Sequence, residues 1–313
     1  MRKILRAWGR ELLGIGSAPR VLPWLALLVT VVIWASYLVF TRLAVTSTLN
    51  PVDIGLLRSG TAVIFFLPII LKHGLFPSGA NWLDILAIAG FGGTIFIFFL
   101  ATGLTLAPVA DSGVFAPSML PVLVAILSVI FLAQRYTRIQ LAGLALIVGG
   151  ALAIGGAAAI AASEGDTWKG HLLFLGASLC WAIYTVRFRV SGLPALHGAA
   201  ILVFWSSLAF LAIAPFTGLN LWTAPRDIVL LQASQGFLAG AVANLTFLYA
   251  INTLGAPVAA ASAALVPVLA ALGGWMFLGE PIGPLKATGI LVVAAGIALA
   301  SGLVTSKSAH PTA

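Results

Sequence analysis

Arg58 stands about seven residues into an apolar run, roughly 10 Å below its start at 1.5 Å per helical residue. An ionisable group at that depth in hydrocarbon faces a partner or a water-filled cavity, where it can hold a polar cargo. The structural alternative is a guanidinium that snorkels outward or pairs with Asp53. Two further apolar runs carry Trp34, Ser36 and Tyr37, and Trp181 and Tyr184, which would form matched aromatic surfaces. Aromatic rings hold apolar or cationic groups by contact area and cation–π attraction, or else simply pack between helices. A fourth run holds Gln232, Ser234, Gln235, Asn244, Tyr249 and Asn252. Amides in hydrocarbon need partners, so these either glue helices together or line water. On an ideal helix Gln235 and Asn244 fall on opposite sides. The expected substrate-binding set is Arg58, Trp34, Ser36, Tyr37, Trp181, Tyr184, Gln235, Asn244 and Tyr249.

Other chemistries find little support. The eight acids (Glu11, Asp53, Asp84, Asp111, Glu164, Asp166, Asp227 and Glu280) form no tight pair deep in an apolar run, as acid–base catalysis would ask. His73, His171, His197 and His310 fall near loops or termini without metal-ligand spacing, and the single Cys180 admits no internal disulfide. No glycine-rich phosphate loop followed by Lys is present, which argues against ATP hydrolysis. No catalytic residue, metal or cofactor is therefore expected, and the chain is not read as an enzyme. Asp111, after Pro108, suits a helix start, where a carboxylate meets the favourable end of the dipole. Glu280 suits a cap or loop anchor at a helix end. Gly236 and Gly240 have the spacing of a close helix contact, and Pro117, Pro121, Pro257 and Pro267 would bend two helices.

The elements that must position these residues are membrane helices. Of 313 residues 61% are hydrophobic and 8% charged, whereas a soluble domain carries about a quarter charged residues. Apolar windows of roughly twenty residues, the length that crosses a hydrocarbon core, place helices near 22–41, 51–71, 82–106, 109–132, 138–161, 168–190, 196–217, 227–253, 257–278 and 284–304. The net charge of +8 is spread over the flanking loops rather than gathered on a face, so nucleic acid is not an expected partner. With the amino terminus inside, eleven Lys and Arg fall on the inner side and four on the outer, with Arg58 within a span. That asymmetry follows the positive-inside rule and puts both termini in the cytoplasm of a cell inner (plasma) membrane protein. The basic start of the chain, followed by no clear small-residue cleavage site, reads as a retained first helix rather than a signal peptide.

The chain also repeats itself. WASYLVFTR at 34–42 recurs as WAIYTVRFR at 181–189, PVLVA at 121 recurs as PVLAA at 267, and Gly143 and Gly150 recur as Gly289 and Gly296. APVA at 107 recurs at 256, all at offsets of 146 to 149. The expected organisation is an all-α integral membrane protein of ten transmembrane helices in two inverted five-helix repeats. Its parts are a cytoplasmic segment 1–21, a first repeat 22–162, a second repeat 163–304 and a cytoplasmic tail 305–313. Five spans per repeat force the second copy to enter from the opposite side, an architecture in which one central cavity can open alternately to either face.

This pattern resembles the EamA family of the drug/metabolite transporter superfamily, in its five-plus-five helices, its Trp-bearing first helix in each half and its prolines in helices 4 and 9. The segment PVLAALGGWMFLGE at 267–280 resembles the family's Pro-to-Leu-Gly-Glu stretch. In the first half Ala133 and Gln134 stand where that stretch would have Gly and Glu. The resemblance implies a central cavity walled by helices 1 to 4 and 6 to 9, with helices 5 and 10 outside it. The expected function is a secondary transporter, an exporter of a small amino acid-like or amphipathic metabolite. A lipid or lipid-carrier flippase is the alternative, and an intramembrane enzyme ranks behind both. The expected partners are the small-molecule substrate, the lipid bilayer and a proton or other coupling ion, with a homodimer as a candidate assembly.

Overall fold

The computed structural model describes residues 21–76, 81–161, 165–254, 262 and 265–301. The expectations for the two terminal segments and for Glu11, Glu164, Pro257 and His310 lie outside the described residues. What is described is helical, with no strand among the described residues. In chain order the helices are α1 (Leu22–Ser47), α2 (Pro51–His73), α3 (Trp82–Leu106), α4 (Val109–Leu132) and α5 (Arg138–Ala161). They continue as α6 (Thr167–Ser191), α7 (Ala195–Thr217), α8 (Arg226–Phe237, Leu238–Val242 and Ala243–Leu254), α9 (Leu265–Leu278) and α10 (Pro284–Ala300). Seven of these regions hold a helix long and apolar enough to cross a membrane, and shorter apolar helices lie in α5, α9 and α10.

Three helices depart from the uninterrupted spans expected. In α4 the α-helix stops at Phe115 and resumes at Leu120. Pro117 has no N–H for the carbonyl of Gly113 four residues back, and the Ser118 hydroxyl donates to that carbonyl instead, at 2.8 Å. In α3 and α8 a wider π-turn replaces the α-helix at Ala87–Thr94 and Leu238–Val242. Such turns insert a residue and frequently mark functional sites. The one in α8 lies between Gln235 and Asn244, so the opposite placement expected of an ideal helix does not apply.

Helix starts and ends are anchored by polar contacts between the halves. At the start of α2 the Asn50 side-chain oxygen accepts from the backbone N–H groups of Val52 and Asp53, and the Asp53 carboxylate accepts from the Asn50 N–H. This reciprocal capping box extends to the end of α7, because the Asn220 N–H donates to Asp53 and the Asn50 amide donates to the Gly218 carbonyl. At the other end of the same pair His197, early in α7, bonds the Gly74 carbonyl just past α2. The helices α2 and α7 therefore lie antiparallel. So do α5 and α10, where Gly143 faces the backbone of Gly296 and Gly150 that of Gly289. At Gly143 a Cβ would stand 2.4 Å from the Ala300 nitrogen, so only glycine permits this approach.

The main helix pairings between the halves have images at equivalent places. The pairing of α1 with α8 is matched by that of α6 with α3, and α1 with α9 by α6 with α4. Pro68 within α2 is matched by Pro215 within α7. The left-handed glycine that closes α9, Gly279, is matched by Ala133 at φ 51° after α4. There a side chain adopts a conformation that costs about 1–2 kcal/mol.

Candidate functional site

A cavity lies between the halves, walled by α1, α2, α3, α4, α6 and α9. A smaller one lies toward α7 and α8, and Arg58 and Trp181 line both. No described lining residue comes from α5 or α10.

The Arg58 guanidinium lies 4.5 Å from the centre of the Tyr37 ring and 5.6 Å from that of Phe96. The residue is 8% exposed. Among the described residues no carboxylate lies within ion-pair distance of it, and its side chain has no hydrogen-bond partner. The pairing with Asp53 that sequence allowed does not form, because Asp53 caps its own helix. Two small residues of α8 set the backbone here. A Cβ on Gly236 would stand 2.7 Å from the Arg58 Cα, and one on Gly240 would stand 3.1 Å from the Arg58 carbonyl oxygen.

The aromatic residues occupy matched positions around this cation. Trp34 and Tyr37 line the larger cavity from α1, and Tyr184 lines the smaller one from α6. Trp181 packs against Phe96 at 4.6 Å between ring centres and against Tyr184 at 5.4 Å, while Trp34 packs against Phe247 at 4.9 Å. The Tyr37 hydroxyl and the Ser178 hydroxyl are buried and have no hydrogen-bond partner among the described residues. The cavity wall thus includes a guanidinium that nothing in the described protein satisfies.

The remaining candidates separate into two groups. Asn244 lines the smaller cavity, with its amide donating to the Gly240 carbonyl in the π-turn at 2.9 Å. Ser36 and Gln235 line neither cavity; the Ser36 hydroxyl donates to the Gln235 side-chain oxygen at 3.1 Å. With Thr30–Thr246 and Thr41–Gln232 they form a polar seam along antiparallel α1 and α8. Interhelical hydrogen bonds of this kind are worth about 0.6 kcal/mol each on average in a membrane. Tyr249, 3% exposed, is buried away from both cavities.

Sequence reasoning missed Phe96, Pro117 and Ser178 as wall residues. Ser178 precedes Trp181 by three residues and so shares its helix face, a signal available from spacing. Phe96 carries no signal in an apolar sequence. A second polar cluster was missed as well. His171 Nε2 donates to Asp111 Oδ2 at 2.9 Å, Lys286 Nζ lies 2.6 Å from Asp111 Oδ1, and the Phe115 ring stacks on His171. Nearby, Arg42 pairs with Glu280 at 3.1 Å, while the other Glu280 oxygen accepts the Val109 N–H at 2.8 Å. These contacts join α1, α4, α6, α10 and the loop after α9. At the opposite end Arg187 of α6 pairs with Asp84 of α3.

Comparison with known proteins gives a consistent neighbourhood. A family model described as the EamA-like transporter family matches residues 22–156 and 168–302. An uncharacterized protein of Pseudomonas aeruginosa is 34% identical over 160 residues, 51% of this chain and 53% of that protein. The threonine/homoserine exporter RhtA of Escherichia coli is 31% identical over 137 residues, 42% and 44% of the two chains. A probable terminal-alkyne amino-acid exporter of Streptantibioticus cattleyicolor is 27% identical over 183 residues, 57% and 60%. The chain spans about half the length of the curated relatives it matches. A solved structure titled only as a crystal structure of a protein covers 93% of this chain and 100% of its own, with a TM-score of 0.63 at 19% identity, which is a likeness of fold.

Proposed function

This chain belongs to the EamA-like transporter family, and from that membership and the cavity between its halves we propose that it is a secondary transporter exporting a small amphipathic metabolite. The observation that carries the reading is Arg58, a buried cation with no described protein partner, facing a cavity to which both halves contribute. A charge left unpaired in a low-dielectric wall is costly unless a ligand completes it. Two relatives are named as exporters of amino acids or their analogues, and amino acids are amphipathic molecules.

The mechanism we propose is alternating access. The ten helices form two inverted five-helix repeats, 22–162 and 163–304, flanked by cytoplasmic segments 1–21 and 305–313 in an inner-membrane protein. Antiparallel pairing of α2 with α7 and of α5 with α10 supports the inversion. Polar closures stand at both ends of the bundle, Arg42–Glu280 and Asp111–His171–Lys286 at one and Asp84–Arg187 at the other. Opening one set while the other holds would expose the cavity to one face at a time. A proton or another ion gradient would supply the driving force, and the substrate-binding set centres on Arg58, Tyr37, Trp34, Trp181, Tyr184 and Asn244.

Purified protein in liposomes tests this reading. Release of radiolabelled amphipathic metabolites should exceed that from protein-free vesicles and respond to an imposed pH gradient. Flipping of labelled lipid without metabolite release would favour the flippase reading instead.

A further inference from the structure

We infer that the occupant of the larger cavity is a net anion, one carboxylate or comparable oxyanion on an apolar body, rather than a zwitterion or an amine. The inference rests on the reading that this cavity carries cargo, and it names the class of that cargo. Its basis is an inventory of charge and donors. Arg58, Tyr37 and Ser178 all line the larger cavity, and neither the guanidinium nor the two buried hydroxyls have an acceptor among the described residues. An unpaired guanidinium in an apolar wall is completed by an oxyanion, which accepts several hydrogen bonds and neutralises the cation. The cation–π contacts with Tyr37 and Phe96 orient the guanidinium but leave its N–H groups without acceptors.

An ammonium finds no counterpart there. The chain has eight acids. Asp53 caps α2, Asp84 pairs with Arg187, Asp111 with His171 and Lys286, Asp166 with Lys169, and Glu280 with Arg42. Asp227 lies in the first turn of α8, and Glu11 and Glu164 fall outside the described residues, in segments flanking the apolar runs. None of the described acids is among the lining residues of either cavity. A substrate ammonium about 6 Å from the guanidinium would meet repulsion worth roughly a hundred-fold in affinity at an effective dielectric constant near 20. The rest of the wall, with Leu38, Leu100, Leu120 and Val266, asks for an apolar body.

The test uses matched probes on the full-length protein. For a phenyl body these are 3-phenyllactate, phenylalanine and phenethylamine; for a branched aliphatic body, 2-hydroxy-4-methylpentanoate, leucine and isoamylamine. Binding is read by calorimetry in detergent, and flux by exchange in proteoliposomes. The hydroxy acid of at least one body should bind ten-fold or more tighter than its amino acid, with the amine weakest, and Arg58→Gln should erase that order. An amino acid or amine binding as tightly as the matched hydroxy acid overturns the inference, as does the absence of binding by every probe. The two readings fail separately. Arg58-dependent hydroxy-acid binding without flux keeps the anion site and removes transport, whereas flux of the amino acids with no preference for the hydroxy acids keeps transport and removes anion selectivity.

Discussion

Arg58→Leu is expected to lose transport while raising the melting temperature of the protein in detergent. Hydrogen bonds to a charged group contribute about 1.5–3 kcal/mol, so removing the guanidinium should weaken cargo binding by roughly ten- to a hundred-fold. The same cation burdens the empty protein. An ion buried without a partner carries a penalty of several kcal/mol, of which contact with the Tyr37 and Phe96 rings returns about 0.5–2 kcal/mol. Leucine fills much of the same space without that penalty and should stabilise the fold by about 1 kcal/mol or more. Gain of stability with loss of activity is the mark of a functional group held at a cost. Unchanged transport in this variant removes Arg58 from the site, and a large drop in melting temperature shows that the guanidinium has a structural partner.

Asp111→Ala should have the opposite signature, a large destabilisation. Asp111 is 2% exposed and holds both His171 and Lys286. Removing it strands a lysine and a histidine at the junction of α4, α6 and α10, and breaking a buried pair by deleting one partner costs about 3–5 kcal/mol. A companion variant separates stranded charge from lost packing. Adding Lys286→Met to Asp111→Ala removes the orphaned cation, and the double variant should recover about half of the loss. Thermal unfolding of the purified proteins reads both. Equal melting temperatures for the natural protein and the Asp111→Ala variant would mean that the cluster contributes nothing to stability.

Much of this architecture was legible in the sequence because its signals are local or periodic. Apolar windows placed α2 to α8 to within two residues and matched the starts of α1 and α10, and the recurrence of WASY at 34 as WAIY at 181 pointed to the aromatic residues of α1 and α6. Arg58 was legible because a charge inside an apolar run is itself an anomaly. What escaped depends on the third dimension. That Ser36 and Gln235 satisfy each other across α1 and α8, rather than facing cargo, is set by helix rotation. The break in α4 was foreshadowed by Pro117, yet the rescue of the Gly113 carbonyl by Ser118 depends on a side-chain rotamer. The π-turns leave no clear mark in composition. Asp111, His171 and Lys286 are far apart in the chain, and no spacing rule joins residues brought together by helices from both halves.

Accessibility of one cavity residue from both faces of the membrane tests the transport mechanism most directly. Ser178 lines the larger cavity, and the chain's one cysteine, Cys180, can be replaced by Ala to leave a single reporter in Ser178→Cys. A membrane-impermeant thiol reagent is then applied to right-side-out and to inside-out vesicles, with and without cargo and a pH gradient. Labelling from each face, with the balance shifted by cargo or gradient, is the expected result. Labelling confined to one face under every condition contradicts alternating access.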